Sequence, residues 1–354
     1  MVKPIKLATC FSGLDMPTRA CQRLVQLNPG KFDIHNLFAI DNNPGCCKVL
    51  EHTLDHEAVH CCSIRNIDVK MLPSCDVLAF SPPCDDFSSN GPRAGMSGKT
   101  GCLILDVIPY IQLHKPGAIF VENVRTILDK KHSPLVRQFK RHLGHLGYKY
   151  KDKLLNAMHY GDPQDRVRWI LVAFLHPVHA FSWPSHEHSW KPAVRSLPLL
   201  PMSPADKPGR LPAQCHLLTK HGKLIKYVDR ERNFVMKAIK KAKAKGQSYK
   251  HLIIDIGCSP GFAVSKVNHW PTLTRTRCAN FNYWILKRGR KVKLAELAAG
   301  FGLKGGAKTL RTPGVSESAL GAMLGNSVPM GLCASVLASM LHCGGFVGAD
   351  VRWR

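Results

Sequence analysis

The hydrophobic pattern between residues 5 and 180 switches period again and again. "IKLATCF" (5–11) is a short apolar run of the kind that forms a buried strand, and "MPTRACQRLVQL" (16–27) carries apolar residues at helical spacing. "HNLFAID" (35–41) reads as a second strand and "PGCCKVLEHTL" (44–54) as a second helix. "CDVLAFSPPC" (75–84) predicts a third strand ending in a turn, and "GAIFVENV" (117–124) a fourth. A helix over "LVRQFKRHLGHLG" and strands over "YKDKLLNAMHYG" and "VRWILVAFL" follow. Strands alternating with helices of this length predict an α/β fold with a doubly wound, mostly parallel sheet. Ligands of such sheets bind beyond the carboxyl ends of the strands, so "CFSG", "AID", "SPPC" and "ENV" should gather on one edge.

The texture changes near residue 184, where "WPSHEHSWKPAVRSLPLLPMSPADKPGRLP" is proline-rich and irregular. The whole chain holds 50 Lys+Arg against 24 Asp+Glu, a net charge of +26. Residues 184–290 alone hold 21 Lys+Arg and 5 Asp+Glu, so a net +16 sits in less than a third of the sequence. "MKAIKKAKAKG" predicts a basic helix, and "RTRCANFNYWILKRGRKVK" mixes arginines with aromatics. A single charge run is by default a solvated face. Concentration into one segment points to a polyanionic partner, whose condensed counterions are released on binding. Three parts follow: 1–183, a basic 184–290, and 291–354 with two helical patterns around "GNSVP".

Fourteen cysteines raise the question of a disulfide or zinc scaffold. No C-x-x-C pair occurs, and the doublets Cys46-Cys47 and Cys61-Cys62 lack zinc spacing, so no metal is expected. "MVKPIKLATCFSG" has no signal-peptide apolar run, and no stretch is long and apolar enough to span a membrane. The expectation is a reducing intracellular compartment, nuclear in a eukaryote or cytoplasmic in a bacterium or virus, and a monomer with no membrane attachment.

"SPPCDDFS", "VENV", "YGDPQDRVR" and "LGNSVP" occur in that order. Together they resemble the ordered motifs of the cytosine-C5 DNA methyltransferase family over residues 5–180 and 270–342, with the variable target-recognition region between. The resemblance implies a Rossmann-like methyltransferase fold with a smaller basic domain, S-adenosylmethionine as cofactor and double-stranded DNA as partner.

In that family the cysteine of the Pro-Cys motif, here Cys84, attacks C6 of a flipped-out cytosine. C5 is a poor nucleophile until that addition makes the ring an enamine. A free thiol with pKa of about 8.5 is only roughly a tenth ionised near pH 7.5, so the site must assist it. The loop "SSNGPRAGMSGKTG" after it carries Arg93, Lys99 and four glycines and reads as a lid that brings cations and excludes water. Glu122 matches the glutamate that contacts N3 and the amino group, and burial should raise its pKa so that it holds a proton there. Asn123 should brace the strand-end loop. Gln164, Arg166 and Arg168 alternate, which on a strand sets all three on one face. The resemblance implies that Arg168 reaches the base or its phosphate and that Arg166 supports the site.

For the cofactor the resemblance implies Phe11, Ser12, Gly13 and Leu14 at the first turn, with Phe11 on the adenine. It adds Asp41 and Asn42 at the second strand end, where a carboxylate can accept the ribose hydroxyls. Ser63, Ile64, Pro83 and Leu103 would line the pocket, and Asn326, Ser327 and Val328 would close it. Contacts to DNA are expected from Ser88, Arg93, Lys99, Gln164, Lys266, Arg275 and Arg277, because a cytosine must leave the stack to be reached.

The sequence departs from the family pattern at Asp15 and Met16 (two glycines), at Ser63 (an aspartate) and at Asp85 (a glutamine). Asp15 could pair with the ligand's ammonium group or obstruct the pocket. Asp85 and Asp86 could turn away as turn and helix-cap residues, leaving backbone N–H groups aimed at Cys84. The alternatives are the same chemistry on RNA, whose Cys-Phe-Thr signature is missing from the basic region, a catalytically inactive DNA-binding homologue, and a free-pyrimidine methylase.

Overall fold

The computed structural model describes residues 3–83, 103–186, 189, 199, 201–212, 215–218, 224–228, 230–258, 264–303 and 305–353, with backbone alone for 215–218 and 224–228. Cys84, Ser88, Arg93 and Lys99, with Asp85, Asp86 and the expected lid, lie outside the described residues.

Seven strands form the main sheet: β1 Ile5–Cys10, β2 Ile34–Asp41, β3 Ala58–Cys61, β4 Val77–Phe80, β5 Ala118–Val124, β6 Lys149–Asn156 and β7 Val167–Phe174. Their order is β3-β2-β1-β4-β5-β7-β6. The first five in that order pair in parallel, and β7 runs antiparallel between β5 and β6. The sheet reverses direction outward from β1 and β4, the switch point at which doubly wound sheets bind ligands.

Alternation along the strands builds two cores. Val77, Ala79, Ala118, Phe120, Ile170 and Val172 face one side, and Leu78, Phe80, Ile119, Val121, Leu171 and Ala173 face the other. A strand apolar on both faces must be covered twice. On the first side lie α1 Met16–Leu27 and α9 Met330–Cys343, whose Ala20, Leu24, Leu332 and Val336 share that core. On the second lie α3 Ile108–His114 and α4 Ser133–His145, through Ile111, Leu135 and Phe139. The sheet edge at β2 and β3 carries α2 Pro44–Thr53, capped by Asn43.

Beyond the main sheet, β8 Cys215–Leu218 and β9 Leu224–Val228 form a hairpin. Helix α5 Arg230–Ala244 precedes a four-stranded sheet of β10 Leu252–Asp255, β11 Ser265–Val267, β12 Tyr283–Ile285 and β13 Arg290–Lys291, in the order β11-β10-β12-β13. Between β11 and β12 runs α6 Arg275–Ala279, and α7 Leu294–Gly300 and α8 Glu317–Asn326 complete the chain before α9. Helix α8 presses onto α6 without side chains between them. A Cβ on Gly321 would stand 2.5 Å from the Cys278 carbonyl oxygen, and one on Gly325 2.4 Å from the Arg275 nitrogen.

Two sequence expectations need correction. A strand between "PGCCKVLEHTL" and "CDVLAFSPPC" was not expected, yet β3 occupies it; its residues are half-exposed at the sheet edge and carry no apolar run. The basic helix begins at Arg230, earlier than "MKAIKKAKAKG". No single helix among the described residues is long and apolar enough to cross a membrane.

Candidate active site

The parallel strands end on one edge, and because β7 is antiparallel its first residues lie on that edge too. β4 runs out into Ser81, Pro82 and Pro83, directly before Cys84. On β5, Glu122 stands opposite Ile170 and Val124 opposite Arg168. Glu122 and Arg168 are therefore diagonal neighbours on one face of an antiparallel pair. The Arg168 Nε lies 3.0 Å from the Glu122 carboxylate, and both side chains are nearly sealed from solvent. Burial pushes the Glu122 carboxyl above its ordinary value, while Arg168, then Arg166, and a hydrogen bond from Ser81 pull back only part of the shift. Burial thus works against the charge on this carboxyl, which lies beside the backbone that leads into Cys84. Asn123 braces this corner by donating to the Pro82 carbonyl at 3.1 Å.

Arg166 sits just outside β7 and is fully buried. Its two terminal nitrogens donate to the Leu273 carbonyl at 2.6 Å and the Gly325 carbonyl at 3.0 Å, and its guanidinium lies over the Phe301 ring. One planar fork therefore joins the main sheet, the segment before α6 and the end of α8, which is a geometry lysine cannot match. Gln164 and Arg166 both precede β7, which begins only at Val167, so the expected single strand face shared with Arg168 is not formed. Its side chain is wholly buried, donates to the Gly300 carbonyl and accepts from the Leu273 N–H at 3.1 Å. The expected DNA contact from Gln164 is corrected: its amide is spent on backbone groups inside the protein.

The turn after β1 is unusual. Phe11, Gly13 and Asp15 all have left-handed backbones, with φ of 52, 57 and 50°. Only glycine takes that region freely, and Asp15 does so because its side chain is held on all sides. It caps α1 by accepting from the Thr18 N–H at 3.1 Å, and it also takes the hydroxyls of Thr9 and Thr18. The His56 Nε2 lies 2.9 Å from the same carboxylate, and both side chains are buried. Burial alone would raise the Asp15 pKa, but His56 and Thr18 outweigh it and hold the carboxyl below its ordinary value. Both ideas about Asp15 are thereby corrected. It neither faces a ligand nor fills a pocket; it turns inward and caps the helix.

The same turn offers the features that an adenosyl group needs. Gly13 donates its N–H to the Asp41 carboxylate at 2.8 Å, and Asn43 donates to the other oxygen at 2.8 Å, which orients that carboxylate at the end of β2. A Cβ built on Gly13 would meet nothing within 4 Å, so the space over the turn is open. Phe11 is half-exposed, Asn42 exposed, Ser12, Ser63 and Pro83 half-buried, and Leu14, Ile64 and Leu103 buried along this edge. The Ser63 hydroxyl caps the short turn Ile64–Asn66. The C-terminal motif arrives through α8: Met323 packs within reach of Gly45 at the start of α2. Beyond it Asn326 is exposed, Ser327 donates to the Met323 carbonyl at 2.9 Å, and Val328 is buried. An oriented carboxylate, an accessible aromatic ring and open space over a glycine turn fit S-adenosylmethionine.

Of the basic residues expected at DNA, Arg275 is exposed at the start of α6, close enough to Cys46 to act on its thiol. Lys266 is ion-paired with Asp165 at 2.7 Å and Arg277 with Asp255 at 3.5 Å. No group of three or more metal-ligating side chains occurs among the described residues. Sequence reasoning missed His56, Ser81 and Asp165. His56 sits in no quoted motif, Ser81 and Asp165 lie inside "SPPCDDFS" and "YGDPQDRVR" without a role read for them, and each acts through a partner remote in sequence.

A family model described as C-5 cytosine-specific DNA methylase matches residues 26–342. The chain belongs to this family. Among curated relatives, the Type II methyltransferase M2.ScrFI of Lactococcus lactis subsp. cremoris is 34% identical over 128 residues, 35% of this chain and 36% of that protein. The Type II methyltransferase M.HhaI of Haemophilus parahaemolyticus is 31% identical over 111 residues, 31% of this chain and 34% of that protein. The chain thus matches about a third of the length of these relatives. Among solved structures, the Entamoeba histolytica methyltransferase EhMeth superposes with a TM-score of 0.60 at 17% identity, covering 96% of this chain and 98% of that one. The S. pombe Dnmt2 methyltransferase gives 0.57 at 14% identity, with coverages of 96% and 98%. At such identities the likeness is one of fold: the Rossmann-like methyltransferase sheet.

Proposed function

We propose that this chain is a DNA (cytosine-5)-methyltransferase that works through a transient covalent bond between Cys84 and C6 of an extruded cytosine. The observation that carries the reading is the buried Glu122, with its raised pKa, 3.0 Å from Arg168 at the edge where β4 leads into Pro83 and Cys84. The family's name and the relatives' Type II methyltransferase names support DNA as the substrate, and support for RNA is lacking.

In this reading the Cys84 thiolate adds to C6, and the ring's electrons flow toward N3. The Glu122 carboxyl holds a proton at N3 and stabilises the charge that builds there. Arg168 holds the Glu122 carboxyl in place, and Asn123 and Ser81 fix the backbone and carboxyl around it. The addition makes C5 an enamine carbon able to attack an electrophile. S-adenosylmethionine, when bound, supplies an electrophilic methyl group; Asp41 would take its ribose hydroxyls, Phe11 its adenine, and Gly13 would leave room for its methionine end. Solvent water then takes the C5 proton, the electrons of that C–H bond restore the C5–C6 double bond, and the C6–sulfur bond breaks to return Cys84 as thiolate. Lys266, Arg275 and Arg277 of the basic segment would hold the duplex while the base is extruded, which costs a few kcal/mol.

The inactive alternative drew on the departures at Asp15, Ser63 and Asp85. Its first support weakens, because Asp15 is occupied in capping α1. Bisulfite sequencing of DNA from a methylation-free host expressing the chain tests the proposal. Protected cytosines in a defined context are expected, and fully converted DNA from soluble, cofactor-binding protein would reject it. Labelled methyl transfer to duplex DNA and to transfer RNA in parallel separates the two nucleic acids.

A further inference from the structure

The small four-stranded sheet is covered on both faces, and its two covers differ. Ile253, Tyr283 and Ile285 point into the core shared with the main sheet. Leu252, Ile254, Trp284 and Leu286 point the other way and pack against Phe234, Val235, Ala238 and Ala242 of α5. Helix α5 therefore covers the face of the small sheet turned away from the core shared with the main sheet.

The four buried positions occupy one side of α5. The opposite side carries Lys237, Lys240, Lys241 and Lys243, all exposed, with Ala244 and Met236 between them and Lys245 just after the helix. Lys243 lies over the Tyr249 ring at 5.0 Å. No ion pair to any of these lysines occurs among the described residues, and the helix's single acid, Glu231, is taken by Lys291 at 2.7 Å. Lys237 and Lys241 stand one turn apart, about 6 Å along the axis. A basic face this dense, with no acid paired to it among the described residues, gathers counterions that a polyanion would release. Its lysines are point charges spaced along a helix rather than fixed forks, so it suits repeated phosphates better than a shaped acidic protein surface.

We propose that the outer face of α5 is a second DNA-binding surface, which takes the phosphate backbone of duplex outside the reaction cleft without regard to sequence. This inference rests on the proposal that the chain acts on DNA, and it adds a place on the molecule that the chemistry at Glu122 does not need. It predicts that affinity depends on duplex length beyond the target site.

The test uses the full chain and a variant in which Lys237, Lys240, Lys241 and Lys243 are all replaced by glutamine, with a four-arginine variant as the charge-preserving control. Affinity is measured across a salt series for a duplex just long enough to fill the reaction cleft and for one several helical turns longer. On the long duplex the glutamine variant should bind at least about tenfold more weakly, and its log–log salt slope should be shallower by up to about 3.6, near 0.9 for each of four lost contacts. On the short duplex, affinity and turnover should match wild type, and the arginine variant should behave as wild type on both. An unchanged salt slope on the long duplex overturns the proposal. An equal loss on both lengths also overturns it, since the face would then belong to the reaction cleft. Equal weakening toward long RNA with no effect on DNA would assign the face to another polyanion and overturn it as well. If wild type transfers no methyl group yet the length-dependent loss appears, the proposed activity fails and this surface stands.

Discussion

The carboxylate of Asp15 and the Nε2 of His56 lie 2.9 Å apart, both closed off from solvent, under the turn that follows β1. A carboxylate at a backbone φ of 50° is an unexpected occupant of a glycine-like position, and its histidine partner explains how it is accommodated. Breaking such a pair leaves an uncompensated buried charge, whereas removing both partners does not. His56→Ala is therefore expected to destabilise the protein by about 3 kcal/mol. Asp15→Gly combined with His56→Gln should recover much of that loss, since glycine tolerates the same backbone. Denaturant unfolding of the three proteins measures this, and a double variant no better than His56→Ala would refute it.

Acid should erode the same contribution. The folded pKa of Asp15 is depressed below its ordinary 3.8, so its stabilisation is fully present above that value. It is lost as pH falls through the depressed folded value. The stability gap between wild type and Asp15→Asn is thus expected to be constant around neutrality and to shrink in strong acid. Unfolding curves at stepped pH follow it, and a gap that widens in acid would contradict the assignment.

Glu122 carries the opposite sign. Its folded pKa is raised, so the proton is retained above the ordinary carboxyl value of 4.5 and leaves as pH climbs through the raised one. Methyl transfer should fall as pH climbs through the raised Glu122 value, because the proton offered to N3 is then lost. Glu122→Gln presents a fixed N–H donor, so its turnover should drop by about two orders of magnitude and lose that fall. A pH–rate profile of the variant that keeps the wild-type falling limb would exclude Glu122 as its source.

Arg166 donates to carbonyls from two separate segments, and lysine can present only a point charge there. Arg166→Lys is expected to leave one buried carbonyl unsatisfied and to lower stability by about 1–3 kcal/mol. Thermal unfolding detects it; a Tm equal to wild type would mean that the fork is dispensable.

Cys84→Ala should abolish methyl transfer while DNA affinity stays within about twofold, because the thiol is asked for a bond to the ring and not for binding. DNA bearing 5-fluorocytosine should trap a wild-type adduct, since fluorine does not leave C5 as a proton does. Peptide mapping of that adduct to any residue other than Cys84 would overturn the assignment of the nucleophile.

Much of the fold was legible because its signals are local. Helix α1 has the bounds its spacing implies, with Pro17 in its first turn, and β1, β2, β4, β5 and β7 each carry a short apolar run. The short α3 and edge strand β3 were not legible, since neither has enough residues to show a period. At the site, Glu122 and Asn123 could be found from their strand end. The error at Gln164 came from extending strand alternation past a boundary that the chain does not respect. His56 and Asp15 are 41 positions apart and meet only when β3 docks beside β2, so no window of sequence could pair them.

The place of α9 in the first core bears on how the chain matures. Val77, Phe120 and Ile170 are complete as neighbours only when Leu332 and Val336 arrive from the far end of the sequence. During synthesis one side of the main sheet must wait, with only α1 to cover it, until α9 leaves the ribosome. Expression yield should therefore depend on chaperone supply, and a chain stopped short of α9 should be lost to aggregation or proteases before any question of catalysis arises.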